Sequence, residues 1–155
     1  MLFSKKKRAI HAFADGEAIS IEQVPDEVFS KKMMGEGIAI YPSEGTIVSP
    51  CNGRITLLND NTKHAIGIVN EDGLEMLIHI GLDTMESTDA FKHHVKIQDQ
   101  ISVGQPLVSY DKAYFKDHNL NDITMLVVVD LNGYKIDSYH TGLVTAQEDV
   151  LIDYK

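Results

Sequence analysis

The sequence predicts an all-β fold in the main, a sandwich or barrel of short strands with one or two short helices. Apolar runs of β-type composition recur at 37–41, 55–58, 65–69, 74–80, 106–110, 125–129 and 150–154. Turn signals stand between them at Glu44-Gly45, Asn52-Gly53, Asp72-Gly73 and Asn132-Gly133. Asx-Gly pairs tolerate the positive φ that tight turns require. Helical patterning is sparse: two turns over 26–33 after Pro25, and one or two more over 112–118. Short strands at this spacing are the pattern of sandwiches and barrels.

Length and charge narrow the classes. The 155 residues, 43% of them hydrophobic, can build one core, and no linker or repeat divides them. We expect a single domain over 1–155, with residues 1–15 as a flexible arm. Fourteen basic against 23 acidic residues leave a net charge of −9. That excludes a general basic binder of nucleic acid, which needs cations to replace phosphate counterions. Cys51 is the single cysteine, so no internal disulfide forms. No apolar run approaches the roughly 18 residues of a membrane span. The opening Met1-Leu2-Phe3-Ser4-Lys5-Lys6-Lys7-Arg8 lacks the hydrophobic stretch of a signal peptide. A cytoplasmic, free-standing component with no transmembrane segment is the expectation.

Two of the seven histidines are related by the pattern itself. His64 opens one apolar run and His79 lies near the end of the next, with Asn70-Glu71-Asp72-Gly73 between. A four-residue loop pairs His64 with His79; a two-residue loop pairs His64 with Gly81. Side chains alternate along a strand, so both registers put the two imidazoles on one face. Opposed residues have Cβ atoms about 4.5–5.5 Å apart, within reach of one small ligand. Leu74, Met76, Ile78 and Ile80 point the other way, toward the expected core. Thr62 shares the His64 face, Gly81 leaves room for a partner to approach, and Asp83 and Thr84 add polar groups. Such a cluster suits metal binding, acid–base work or a nucleophilic imidazole. A histidine nucleophile needs one neutral exposed nitrogen and the other ring N–H held by an acceptor.

The segment Gly73-Leu74-Glu75-Met76-Leu77-Ile78-His79-Ile80-Gly81-Leu82-Asp83-Thr84 resembles the phosphorylation-site signature of glucose-type EIIA proteins. These belong to the bacterial phosphoenolpyruvate-dependent sugar phosphotransferase system. Val24-Pro25-Asp26-Glu27-Val28-Phe29, Ser49-Pro50-Cys51-Asn52-Gly53, Thr62-Lys63-His64-Ala65 and Val103-Gly104-Gln105-Pro106-Leu107 resemble other blocks of that family, in order. The resemblance implies a compact antiparallel β-sandwich and a phosphocarrier. It implies that His79 accepts a phosphoryl group on Nε2 from phosphorylated HPr and passes it to a cysteine of a sugar-specific EIIB domain. His64 then stabilises the phosphoryl oxygens, Thr62 supports His64, Asp83 is an acidic neighbour, and the Gly81 carbonyl accepts from His79 Nδ1–H. No cofactor, metal or nucleotide is implied. Val28, Phe29, Met34, Leu77 and Met85 match the apolar ring that docks partners, and packing in the core is the other reading of Phe29 and Leu77. Asp60 stands where some members carry an aromatic, and 85–91 lacks the glycines usual there.

Two further readings share the site. A zinc hydrolase of the related lysostaphin-like fold could use His79-x-x-x-Asp83 with His64, but the His-x-His segment of those peptidases is absent. A regulatory binding protein could present the unphosphorylated face to transporters or metabolic enzymes. His93 and His94 are adjacent, so on a strand they face opposite ways and do not share a metal. Cys51, after Pro50 at a turn, reads as structural. His11, His118 and His140 have no convergent neighbour and receive no role.

Overall fold

The computed structural model describes residues 8–58, 61, 63–84 and 87–155. The β-type runs fold as strands and the chain forms a β-sandwich. Its large antiparallel sheet places the strands in the order β13 (Gly142–Val144), β2 (Gly16–Ser20), β3 (Glu36–Pro42), β11 (Thr124–Asp130), β7 (Glu75–Ile80), β6 (Ala65–Asn70), β5 (Gly53–Leu57), β9 (Gln100–Ile101). Two smaller sheets complete it. One joins β1 (Ala9–His11), β14 (Val150–Tyr154) and β12 (Ile136–Tyr139); the other joins β4 (Thr46–Val48), β10 (Pro106–Tyr110) and β8 (Phe91–His93).

Alternation along the central strands decides where the core lies. Ile38 and Ile40 of β3, Leu126 and Val128 of β11, Met76, Ile78 and Ile80 of β7, and Ile66 and Ile68 of β6 all face inward. They meet Ile10, Leu151 and Ile152 from one small sheet and Ile47, Leu107, Val108 and Phe91 from the other. Each buried aliphatic side chain contributes about 1.5–3 kcal/mol through removal from water. Residues 9–14 were expected within an arm, and here they are core: Ile10, Ala12 and Phe13 are fully buried and Ala14 nearly so. The segment reads as loop because its apolar residues follow no alternating period, yet β1 pairs with β14.

A second, smaller cluster covers the outer face of the same strands. Ala39, Met125 and Val127 point outward and pack with Ile21, Val24 and Phe29. The segment supplying them makes a 3-10 turn (Ile21–Gln23) and the short helix α1 (Glu27–Ser30). Asp26, expected inside the helix, caps it instead, its Oδ1 accepting from the Val28 N–H at 2.9 Å. Lys32, at φ 56, is in the left-handed region just past the helix end. Helix α2 (Lys112–Asp117) is capped in the same way by Asp111.

The hairpin between β6 and β7 uses neither expected loop. Ala65 opposes His79 and Val69 opposes Glu75, so three residues, 71–73, form the loop. Asn70 closes it: Oδ1 accepts from the Asp72 and Leu74 N–H groups, both at 3.0 Å. Gly73 takes φ +82, the left-handed residue that three-residue hairpins place at this point.

Candidate functional site

In the observed register His79 lies in a row across the outer face, between Met125 of β11 and Ala65 of β6. Its ring therefore leaves the sheet on the side opposite Ile78 and Ile80, as alternation requires. His64 is one residue outside β6, and its carbonyl accepts from the Ile80 N–H at 2.7 Å. A regular strand in this register would send the His64 ring to the core face. The strand stops at Ala65, and the turn before it brings the ring round to His79. The two rings meet edge to face, with centroids 4.8 Å apart and planes at 76°. The expected pair is together, but by a register and a turn that the sequence reading did not contain.

Phe29 forms the opposite wall. Its ring centroid is 5.2 Å from that of His79. At 5% exposure it belongs to the outer cluster and is not a free docking group. Phe29→Ala should cost about 3–5 kcal/mol, the range for emptying a buried aromatic site. The melting temperature is expected to fall by roughly 10 °C, and an unchanged one would mean that the ring is dispensable to the fold. Val28 is 40% exposed, and Met34 and Leu77 are half-buried. Asp26, Val28, Phe29, Met34, His79, Leu82, Asp83 and Thr84 surround an apolar pocket of about 210 Å³. Thr62, Met85 and Asp60 lie outside the described residues.

Gly81 does something other than leave space. Its φ is +80, and a Cβ there would stand 2.6 Å from Thr84 Cγ2 and 3.0 Å from the Asn121 carbonyl oxygen. The protein itself fills that volume, so the missing side chain accommodates close packing within the chain. Thr84 is buried and donates through Oγ1 to the Ile80 carbonyl at 2.7 Å, fixing the turn that follows His79. Asp83 is exposed on the pocket rim with φ 56.

Burial sets the protonation of both rings. Loss of solvation, with His64 alongside, lowers the His79 pKa to about 4. The Gly81 backbone and the Asp26 carboxylate oppose the shift. Burial also lowers the His64 pKa. Both imidazoles are thus neutral near pH 7. Nδ1 of each ring is buried and, among the described residues, has no hydrogen-bond partner. The Gly81 backbone is close enough to favour a proton on His79 but stands outside hydrogen-bonding geometry. With Nδ1 covered, Nε2 is the His79 nitrogen left to face the pocket. The arrangement can do one thing well: it offers a neutral imidazole nitrogen in an apolar recess, beside a second neutral imidazole able to donate.

The family model for the phosphoenolpyruvate-dependent sugar phosphotransferase system, EIIA 1, matches residues 8–134. The chain belongs to that EIIA family. Its β-sandwich matches the glucose permease IIA from Mycoplasma capricolum with a TM-score of 0.87 and 31% identity, covering 99% of both chains. It is also 42% identical over 144 residues to the glucoside-specific EIICBA component of Staphylococcus carnosus (strain TM300). That match takes in 92% of this chain and 21% of the relative, so the chain spans about a fifth of that protein's length. Among the described residues no group of three or more His, Cys, Asp or Glu side chains is placed to hold a metal. No helix among them is long and apolar enough to cross a membrane.

The remaining histidines are dispersed. His94 Nε2 bonds the Ser109 hydroxyl at 2.6 Å, whereas His93 Nε2 meets the Lys63 carbonyl at 3.3 Å, so the adjacent pair does diverge. His140 pairs with Asp153, and His118 stacks on Tyr114. Burial pushes the Cys51 thiol up to about 12, which leaves it unreactive. Sequence reasoning gave no role to Asp26 or His93. The Pro25-Asp26 capping signal could have found the first; nothing local points to the second.

Proposed function

We propose that this chain is a phosphocarrier of the sugar phosphotransferase system, with His79 as acceptor and His64 as stabiliser. The observation that carries the reading is the pair of neutral, edge-to-face imidazoles, of which His79 lines an apolar recess. His79 Nε2 attacks the phosphorus of phosphorylated HPr. The donor's N–P bond breaks as the new one forms, and the electron pair returns to the donor ring. A cysteine thiolate of an EIIB domain then repeats the exchange, and the pair returns to His79. Charge on the transferred group is spread over its three oxygens. The His64 ring supplies a donor from a site that excludes water, where such a bond counts for most.

No nucleotide or metal takes part in this reading, because the donor already holds the phosphoryl group in a reactive N–P bond. The protein contributes placement and a dry contact zone. Val28 and Met34 line the recess with Asp83 beside them, and Leu77 lies on the same outer face of β7; in this reading they meet both partners, since Met and aliphatic side chains adapt to more than one surface. The same face, unphosphorylated, is available to transporters or metabolic enzymes. We place the protein in the cytoplasm as a single domain over 1–155.

Incubation with phosphoenolpyruvate, enzyme I and HPr, followed by intact mass, tests the reading. Gain of one acid-labile phosphoryl group supports it; no gain with active donors overturns it. The acceptor's protonation gives a separate check. His79 titrates near 4 in the folded protein against 6.5 in a free ring, so it stays neutral from pH 8 to pH 6. Its ring resonances should hold steady over that range and move only below about pH 5. The neutral ring's contribution to stability is complete above 6.5 and is lost as pH falls toward 4. A midpoint near 6.5 would mean that the recess is wet.

A further inference from the structure

His64 sits beyond the last hydrogen-bonded residue of β6, so the sheet ladder alone does not hold its backbone. Two contacts fix the peptide on either side of it. The His64 carbonyl is engaged by the Ile80 N–H of the neighbouring strand at 2.7 Å. The preceding carbonyl, that of Lys63, is met by a side chain from the other layer of the sandwich, His93 Nε2 at 3.3 Å. A carbonyl oxygen can only accept, so Nε2 of His93 carries the proton in this contact. His93 ends β8, which pairs with β10 in the small sheet and places the half-buried ring against Lys63. The next residue, His94, turns away to Ser109.

We propose that His93 is a positioning residue for the phosphoryl-transfer site. Its Nε2–H holds the Lys63 carbonyl and, through the Lys63–His64 peptide, sets the His64 ring edge-on against His79. His93 touches neither the phosphoryl group nor a partner; it acts through His64. This rests on the carrier reading for the meaning of His64, while the link from His93 to the His64 ring is a structural claim of its own. A ring held by one peptide on a turn is sensitive to small displacements, and misplacement by about 1 Å can cost on the order of a hundredfold in rate. Loss of one neutral hydrogen bond, with the Ile80 contact intact, is a milder perturbation.

The test compares His93→Ala, His93→Gln, His94→Ala, His64→Gln and the double variant His64→Gln/His93→Ala. Phosphoryl acceptance from HPr and delivery to EIIB are measured as separate single-turnover rates. His93→Ala is expected to accept at the normal rate and to deliver about tenfold more slowly. His93→Gln places an amide N–H where Nε2 was and should restore delivery. His94→Ala, one residue along on the same strand, should leave both steps unchanged. In the double variant the His93 change should add nothing to the His64→Gln defect, the mark of two residues acting through one group. The ring resonances of His64 in the unphosphorylated protein give a readout free of partners, and they should shift in His93→Ala and return in His93→Gln. Unmoved His64 resonances, or additive defects in the double variant, would overturn the proposal. If the parent protein takes up no phosphoryl group at all, the carrier reading fails, and the resonance comparison still decides whether His93 positions His64.

Discussion

His79→Ala is expected to accept no phosphoryl group from HPr while folding normally. The loss is complete because the described residues offer no second nucleophile with the right exposure: His64 is 7% exposed, and Cys51 is buried with its thiol held protonated. Folding survives because the His79 side chain lies on the outer face, and the inward residues on either side, Ile78 and Ile80, keep their packing. The ring contacts given up are those with Phe29 and His64. Intact mass after exposure to phosphoenolpyruvate, enzyme I and HPr reads the first point, and a thermal melt reads the second. Any acid-labile phosphoryl group on the variant would place the acceptor elsewhere. The pH dependence of stability is a companion result. The parent should lose stability as pH falls from 6.5 to about 4, where the unfolded chain's imidazole binds a proton that the buried ring does not. That component should disappear with the ring.

His64→Gln separates the two halves of the transfer. Acceptance should continue, because the nucleophile is intact and the glutamine amide fills part of the imidazole's space. Delivery to the EIIB cysteine should slow by about 10²–10³-fold, the cost of removing one preorganised donor from a developing oxyanion. The asymmetry follows from what each step asks of the site. On the proposed reading, leaving His79 requires the phosphoryl charge to be held while the N–P bond loosens, and His64 is the ring beside it. Efficient delivery by the variant would remove His64 from the mechanism. Equal loss in both steps would mean that it shapes the recess instead.

Much of this was legible in the chain, and the limits are physical. The stripe Leu74, Met76, Ile78, Ile80 announces a strand with one buried face, and that alone sends His79 outward. The 150–154 and 106–110 runs become strands with the expected bounds. Strands β1, β4, β8, β9 and β13 were missed because two or three residues hold too little alternation to register, and β2 and β12 were missed because their runs are short and mixed with polar residues. The placement of His64 could not be read from either loop length, since it depends on Asn70 closing a three-residue loop and on β6 stopping one residue short. Gly81 was misread for a related reason. A missing side chain signals close approach, and only the packed structure shows that Thr84, Asn121 and Phe115 of this same chain are what approaches. Phe29 and His93 reach the site from 50 residues upstream and 14 downstream of His79, where no local pattern connects them.

The two rings rest on parts of the fold that come loose at different rates. The His79 amide belongs to a strand with partners on both sides, so it should exchange with solvent only when the sheet as a whole opens. His64 lies one residue beyond β6, held by the Ile80 and His93 contacts, and its amide is expected to open at lower cost than that of His79. On the carrier reading, the acceptor would keep its place while the turn beside it opens locally. Local opening there would let its companion shift and return without disturbing the sheet. Hydrogen exchange at the two positions would give the difference directly as a difference in opening free energy.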